Sequence, residues 1–165
     1  MYRIEDWLGE NNKLGVDIWR NKYQHNGETF DEFLDRVTKS DDEVKNLILK
    51  RQFVFGGRIF ANRGLVTDRK LTLSNCYVIT PPDDNIESIF GEAATKLART
   101  SSYGGGCGID ISNLRPKNMP VNNAAVTSSG AVSFMEIYNS TIGVIGQNGR
   151  RGALMISISI NHPDV

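Results

Sequence analysis

The sequence predicts an α/β protein in which an N-terminal helical segment is followed by a β-α-β-α-β run. Three observations carry this. Apolar residues recur at helical spacing behind two capping-box spellings, Thr29-Phe30-Asp31-Glu32 and Ser40-Asp41-Asp42-Glu43. From about residue 70, β-rich runs alternate with helical stripes, the pattern of a parallel sheet with right-handed crossovers. Charge is also uneven: of 19 basic and 19 acidic residues, only Asp110, Arg115, Lys117, Glu136, Arg150, Arg151 and Asp164 fall after residue 103. An isolated domain surrounds its elements with ions, so a stretch this poor in charge suits the inside of something larger. The expectation is a fragment, or one piece of a split protein.

The elements follow in order. A helix over residues 12–23 carries Leu14, Ile18 and Trp19. Behind the first capping box, Phe30, Phe33, Leu34 and Val37 share one face; behind the second, Val44, Leu47 and Ile48 do the same. Periodicity fails from Phe53 to Gly64 around Gly56-Gly57, which reads as a turn and an extended linker. The division expected is 1–52, an N-terminal helical region, and 53–165, the α/β part. Leu71 to Ile79 is rich in β-formers and ends at Pro81-Pro82. Asp84 opens a helix with Ile86, Ile89, Phe90, Ala93, Ala94 and Leu97 as its stripe. Gly104–Gly106 leads into a strand from Cys107 to Ile111. A helix near 131–145 turns Val132, Met135, Tyr138, Ile142 and Ile145 inward, and Ala153 to Ile160 forms the third strand.

The 165 residues balance to zero formal charge, with 39% hydrophobic and 23% charged residues. Bulk charge therefore does not argue for nucleic acid or for an acidic membrane surface, and the composition suits a globular chain. No run approaches the roughly 20 apolar residues of a spanning helix, and the N-terminus lacks the pattern of a signal peptide. A cytoplasmic protein is expected. Two cysteines, Cys76 and Cys107, are too few for a disulfide scaffold and read as reduced thiols.

Several motifs have two readings. Gly104-Gly105-Gly106 follows a helix and precedes a strand, the reverse of a dinucleotide fingerprint, and by itself marks a tight turn or close backbone approach. His162-Pro163-Asp164 is spelled like the J-domain tripeptide but follows a strand instead of joining two helices. Asn139-Ser140-Thr141 is a glycosylation sequon in mid-helix and reads as chance. Cys76 is either a small buried hydrophobe or, with the polar Ser74 and Asn75 beside it, part of a strand face lining a polar cavity. Cys107 reads as core. The loop Gly146-Gln147-Asn148-Gly149-Arg150-Arg151-Gly152 offers amides for a base edge and guanidinium forks for phosphate, or is a solvated turn.

Taken together, eight ordered blocks resemble the large, catalytic subunit of ribonucleotide reductase. They are Phe55-Gly56-Gly57-Arg58-Ile59, Leu73-Ser74-Asn75-Cys76, Asp84 to Ile89, Gly104 to Asp110, Leu114-Arg115-Pro116, Ser129 to Met135, Gly149 to Ala153, and His162-Pro163-Asp164. The resemblance implies the first part of that family's ten-stranded α/β barrel. It also implies reduction of ribonucleotides to 2′-deoxyribonucleotides by thiol and radical chemistry under effector control. Cys76 matches one of the two cysteines that supply electrons and become a disulfide. Asn75 and Gly106 match positions that approach the substrate. Gly57 matches a phosphate-side contact where many relatives carry Thr or Ser, leaving the backbone to serve here. Gln147 and Arg151 match substrate-facing positions of a loop that relays effector identity. Asp84, Asn85 and Ile86 match the segment holding the effector's sugar and base, Arg115 an effector phosphate contact, and Asn122 a position where several relatives are basic.

The family's radical cysteine and second reducing cysteine have no counterpart, since only Cys76 and Cys107 exist. The chain alone is therefore expected to be inactive, needing the C-terminal part as a second chain. The spellings resemble adenosylcobalamin-dependent members most, which implies that cofactor for the complete enzyme, or else a radical-generating metal subunit. The other implied partners are a dNTP or ATP effector, a thioredoxin-like reductant, and a second copy docking through helices 85–98 and 131–145. The alternative is a non-catalytic nucleotide-binding module or a truncated product.

Overall fold

The computed structural model describes residues 2–145 and 152–165. The chain divides into two compact units, Met1–Leu73 and Ser74–Val165. This break lies later than the division expected after residue 52, because Phe55 and Phe60 pack against the N-terminal apolar cluster.

The first unit contains α1 (Ile4–Leu8), α2 (Lys13–Lys22), α3 (Phe30–Thr38), α4 (Asp42–Leu49) and α5 (Gly57–Asn62). The Thr29 capping box forms as expected: the Thr29 hydroxyl accepts from the Glu32 amide, and the Glu32 carboxylate accepts from the Thr29 amide at 2.7 Å. Phe30, Phe33, Leu34 and Val37 are all buried, each contributing on the order of 1.5–3 kcal/mol. The second box forms differently. Lys39 and Ser40 both adopt left-handed backbone, which closes α3, so the cap falls to Asp41, whose side chain accepts from the Val44 amide.

Two further expectations are corrected. In α2 the buried residues are Val16 and Trp19, while Leu14 and Ile18 are exposed. The stretch expected as a turn and linker contains α5, whose Phe60 meets Phe33 and Phe55 with ring centroids 5.5 and 5.8 Å apart. Ring burial drives this helix in spite of the glycines that open it.

The second unit holds β1 (Cys76–Ile79), β2 (Gly106–Asp110) and β3 (Leu154–Ser157), parallel and in the order β1-β2-β3. The parallel direction matches the expectation; β1 and β3 are shorter than expected. Between β1 and β2, a π-helical stretch, Glu87–Ala94, runs directly into α6 (Thr95–Ser102). Between β2 and β3 lies α7 (Ala131–Val144). One sheet face, with Ile79, Cys107 and Ile109, packs on Ile89, Ala93, Leu97, Tyr138 and Ile142 to make the core. The other face carries Cys76, Val78 and Met155, all exposed. Strand alternation separates the two sets.

The helical stripes also shift. Ile86 and Phe90 are exposed where the stripe expected them inward, as is Val132 on α7. The π-helical winding rotates each successive residue by less than an α-helix does, so the stripe on Glu87–Ala94 drifts off the core face, and Phe90 instead meets Phe134 edge-on at 6.2 Å. The Tyr138 hydroxyl donates to the Ile89 carbonyl at 3.4 Å, tying α7 to the π-helical stretch.

Candidate functional site

Asp84 does not open a helix, as its spelling suggested. The Asn85 side chain takes that role, accepting from the Ser88 amide at 2.8 Å. Asp84 is thereby left to turn toward Arg115, whose Nε donates to its carboxylate at 2.5 Å. Arg115 Nη1 also donates to the Pro120 carbonyl at 2.7 Å, and Nη2 to the Asp84 carbonyl at 3.4 Å. A guanidinium has five N–H groups, so two remain for a ligand.

These residues border a cavity of about 330 Å³. All five positions matched to effector contacts, Asp84, Asn85, Ile86, Arg115 and Asn122, line it. Ser128, Ser129 and Phe134 line it as well and were not singled out in the sequence. The signal for the two serines was the uncharged run of mostly small residues from Asn122 to Ser129, and that for Phe134 the block from Ser129 to Met135. Much of the outer wall is a narrow hairpin. Asn118 and Ser128 amides donate to Ser128 and Met119 carbonyls, Pro120 pairs with Thr127, and the Val121 amide donates to Val126 at 2.9 Å. The volume lies at the lower end for small-molecule sites. With one guanidinium, several amides and hydroxyls, and the Phe134 ring, the pocket can hold a phosphorylated ligand with an aromatic base.

Asn75, Cys76 and Gly106 come together at the N-terminal ends of β1 and β2. Cys76 pairs with Gly106 in register, and the Gly106 amide donates to the Asn75 carbonyl at 2.7 Å. Cys76 is a free, exposed thiol on the open sheet face, so the buried-hydrophobe reading does not hold for it. Cys107 is buried on the opposite face, as expected, and burial raises its thiol pKa. On that open face at the C-terminal end of β2, Asp110 accepts from the Ser157 hydroxyl at 2.7 Å and the Ser112 amide at 2.9 Å. The Ser157 bond first, then those from Ser112, holds its carboxyl below the usual range. Gly57 begins α5 in the first unit, where a Cβ would lie 3.2 Å from the Tyr23 hydroxyl. Gln147 and Arg151 lie outside the described residues.

Among the described residues, no group of three or more His, Cys, Asp or Glu could hold a metal ion, and no helix is long and apolar enough to cross a membrane. His162 has both ring nitrogens engaged, Nε2 with the Leu114 carbonyl at 2.7 Å and Nδ1 with the Asp164 amide at 3.1 Å.

The second unit is a parallel α/β layer with a cavity lined by polar side chains and the Phe134 ring. Residues 74–165 match the family described as ribonucleotide reductase, barrel domain, and the chain belongs to that family. Its three strands are thus part of a barrel. The chain is 37% identical over 142 residues to a vitamin B12-dependent ribonucleoside-diphosphate reductase of Thermoplasma acidophilum, covering 83% of this chain and 18% of the relative. A protein of the same description from Mycobacterium tuberculosis is 39% identical over 125 residues, covering 75% and 17%. The chain therefore spans less than a fifth of the length of these relatives. The class Id ribonucleotide reductase alpha subunit of Actinobacillus ureae shares the fold, with a TM-score of 0.75 at 24% identity over 96% of this chain and 29% of that one.

Proposed function

We propose that this chain is the N-terminal portion of the catalytic subunit of a ribonucleoside-diphosphate reductase, and that its pocket binds the nucleotide effector. The observation that carries this reading is the convergence of Asp84, Asn85, Ile86, Arg115 and Asn122 on one cavity. They were matched from three separate stretches of the chain: Asp84 to Ile86 as one segment, Arg115, and Asn122. In this reading Arg115 takes a phosphate, Asp84 and Asn85 the sugar, and Ile86 with Phe134 the base.

Cys76 is proposed as one of the two thiols that reduce the substrate. In the overall reaction two thiols become a disulfide, and their two electrons and two protons remove the 2′-hydroxyl as water. An exposed sulfur on a strand meets the need for rigid placement beside a ribose, with Asn75 and Gly106 as its neighbours. Gly57, Gln147 and Arg151 are proposed as further substrate contacts.

The relatives named as vitamin B12-dependent support adenosylcobalamin as the radical source of the complete enzyme. His162 has both ring nitrogens committed to backbone partners and so is not a ligand for that group. The other proposed partners are a chain supplying the remaining cysteines, a thioredoxin-like reductant, and a second copy of this chain in a cytoplasmic dimer. Exposed Ile86, Phe90, Val132 and Val144, on the two helices expected at that dimer, support the last.

Titration calorimetry of the purified chain with dTTP, dATP and ATP tests the effector site. Saturable binding of at least one of them is expected. Absence of heat with all three, at concentrations to the millimolar range, overturns this reading.

A further inference from the structure

The tripeptide His162-Pro163-Asp164, one of the eight blocks of the resemblance, has no task assigned above, yet it makes a dense set of contacts. The Asp164 carboxylate accepts from the Lys117 amide at 3.0 and 3.1 Å and from the Ala131 amide at 2.8 Å. These two amides are the roots of one loop, the hairpin that forms the outer wall of the pocket. One carboxylate therefore closes the loop at both ends.

The sequence of α7 shows why an anchor from a distance is needed. Its N-cap is Gly130, which has no side chain to cap with, and its first turn contains no acidic residue. Asp164 supplies the missing anion from 33 residues away. Nor can Gly130 be replaced by a local cap. Its φ is +95°, and a Cβ there would stand 2.6 Å from the Asp164 carboxylate and 2.9 Å from the Lys117 Cβ. His162 completes the clamp. It is buried, and since a carbonyl can only accept, Nε2 carries the proton toward Leu114 while Nδ1 accepts from the Asp164 amide. Leu114 immediately precedes Arg115, so the tripeptide holds the segment bearing the pocket's guanidinium as well as its hairpin.

We infer that Asp164 is a positioning residue for the nucleotide pocket, fixing the Lys117–Gly130 hairpin and the start of α7 so that Arg115, Asn122 and Phe134 face the ligand together. This deepens the effector-site reading and rests on it.

The test uses the full chain and the variants Asp164→Ala, which removes the acceptor, and Asp164→Asn, which keeps one acceptor oxygen. Calorimetry with the deoxynucleoside triphosphate that binds the unaltered chain is combined with amide hydrogen exchange at Lys117 and Ala131, well below the melting temperature. Expected are at least tenfold weaker binding and faster exchange at both amides for Asp164→Ala, with partial recovery of both in Asp164→Asn. A purely stabilising residue would lower the melting temperature and leave the affinity of the folded fraction alone. Affinity within twofold of the unaltered chain, or unchanged exchange at the two amides, overturns the inference. If Asp164→Ala does not fold, Asp164→Asn decides by the same two readouts. Failure of the unaltered chain to bind any nucleotide is the different result, which removes the effector site itself.

Discussion

Arg115 and Asp84 form an ion pair across 31 residues of sequence, with Nε 2.5 Å from a carboxylate oxygen and both side chains about one-third exposed. At that exposure the pair adds only about 0–1 kcal/mol to stability. Its importance is geometric. It holds the pocket's guanidinium in one orientation, with N–H groups to spare, before any ligand arrives.

Arg115→Ala is therefore expected to weaken nucleotide binding by roughly ten- to a hundredfold, the value of one charge-assisted contact, while shifting the melting temperature little. Arg115→Lys should fall between, since it keeps the charge and loses the fork. Calorimetry beside a thermal melt checks both. Affinity unchanged in Arg115→Ala would remove this residue from the phosphate site.

The chain alone should form no deoxynucleotide. The chemistry takes three cysteines, this sequence has two, and Cys107 is buried away from the open face. Native alkylation should label one thiol, Cys76, with Cys107 reacting only after denaturation; peptide mass spectrometry distinguishes the two. Rapid labelling of Cys107 in the folded chain would contradict its place in the core.

In the first unit, Arg36 makes a two-pronged ion pair with Glu28, at 2.9 and 2.7 Å, with side chains only 11% and 12% exposed. It also donates to the Arg63 carbonyl at 2.6 Å and the Tyr23 carbonyl at 3.2 Å. Removing one partner strands the other charge. Glu28→Ala should cost about 3–5 kcal/mol, read by urea denaturation followed through tryptophan fluorescence. A loss below about 1 kcal/mol would show the pair to be solvated.

Tyr138 is fully buried, and burial pushes its hydroxyl up to about 12 from the ordinary 10.0. Above pH 10 the unfolded chain loses this proton while the folded chain keeps it. Stability from this group is whole below pH 10 and is lost as pH rises toward 12, by about 2–3 kcal/mol in all. Tyr138→Phe should flatten that alkaline decline and leave stability at pH 7 nearly unchanged. Denaturant midpoints at pH 8, 10 and 11.5 give the comparison; an equally steep decline in the variant would assign it to other groups.

Much of this was legible in the linear chain. The Thr29 box, the inward face of α3 and the parallel β-α-β-α-β order follow from short-range rules: a hydroxyl three residues before a carboxylate, a 3.6-residue stripe, an alternation of periods. The five positions that line the cavity could also be named beforehand, because ordered motifs survive in spelling. Other features depend on partners far away in sequence. Helix α5 forms because Phe60 finds Phe33, although its opening glycines argue against a helix. Asp84 leaves the cap to Asn85 because Arg115 competes for it. On α2 Trp19 is buried as expected, but Val16 and not Leu14 or Ile18 shares its inward face, since the helix is turned by what it packs on. The tripeptide at residues 162–164 read as one of the eight blocks with no task of its own, and its contacts emerged only when two amides, 47 and 33 residues away, met one carboxylate. Local patterns encode where the backbone's own hydrogen bonds go; which distant group satisfies a leftover donor or charge is a matter of three-dimensional proximity, and no spacing along the chain records it.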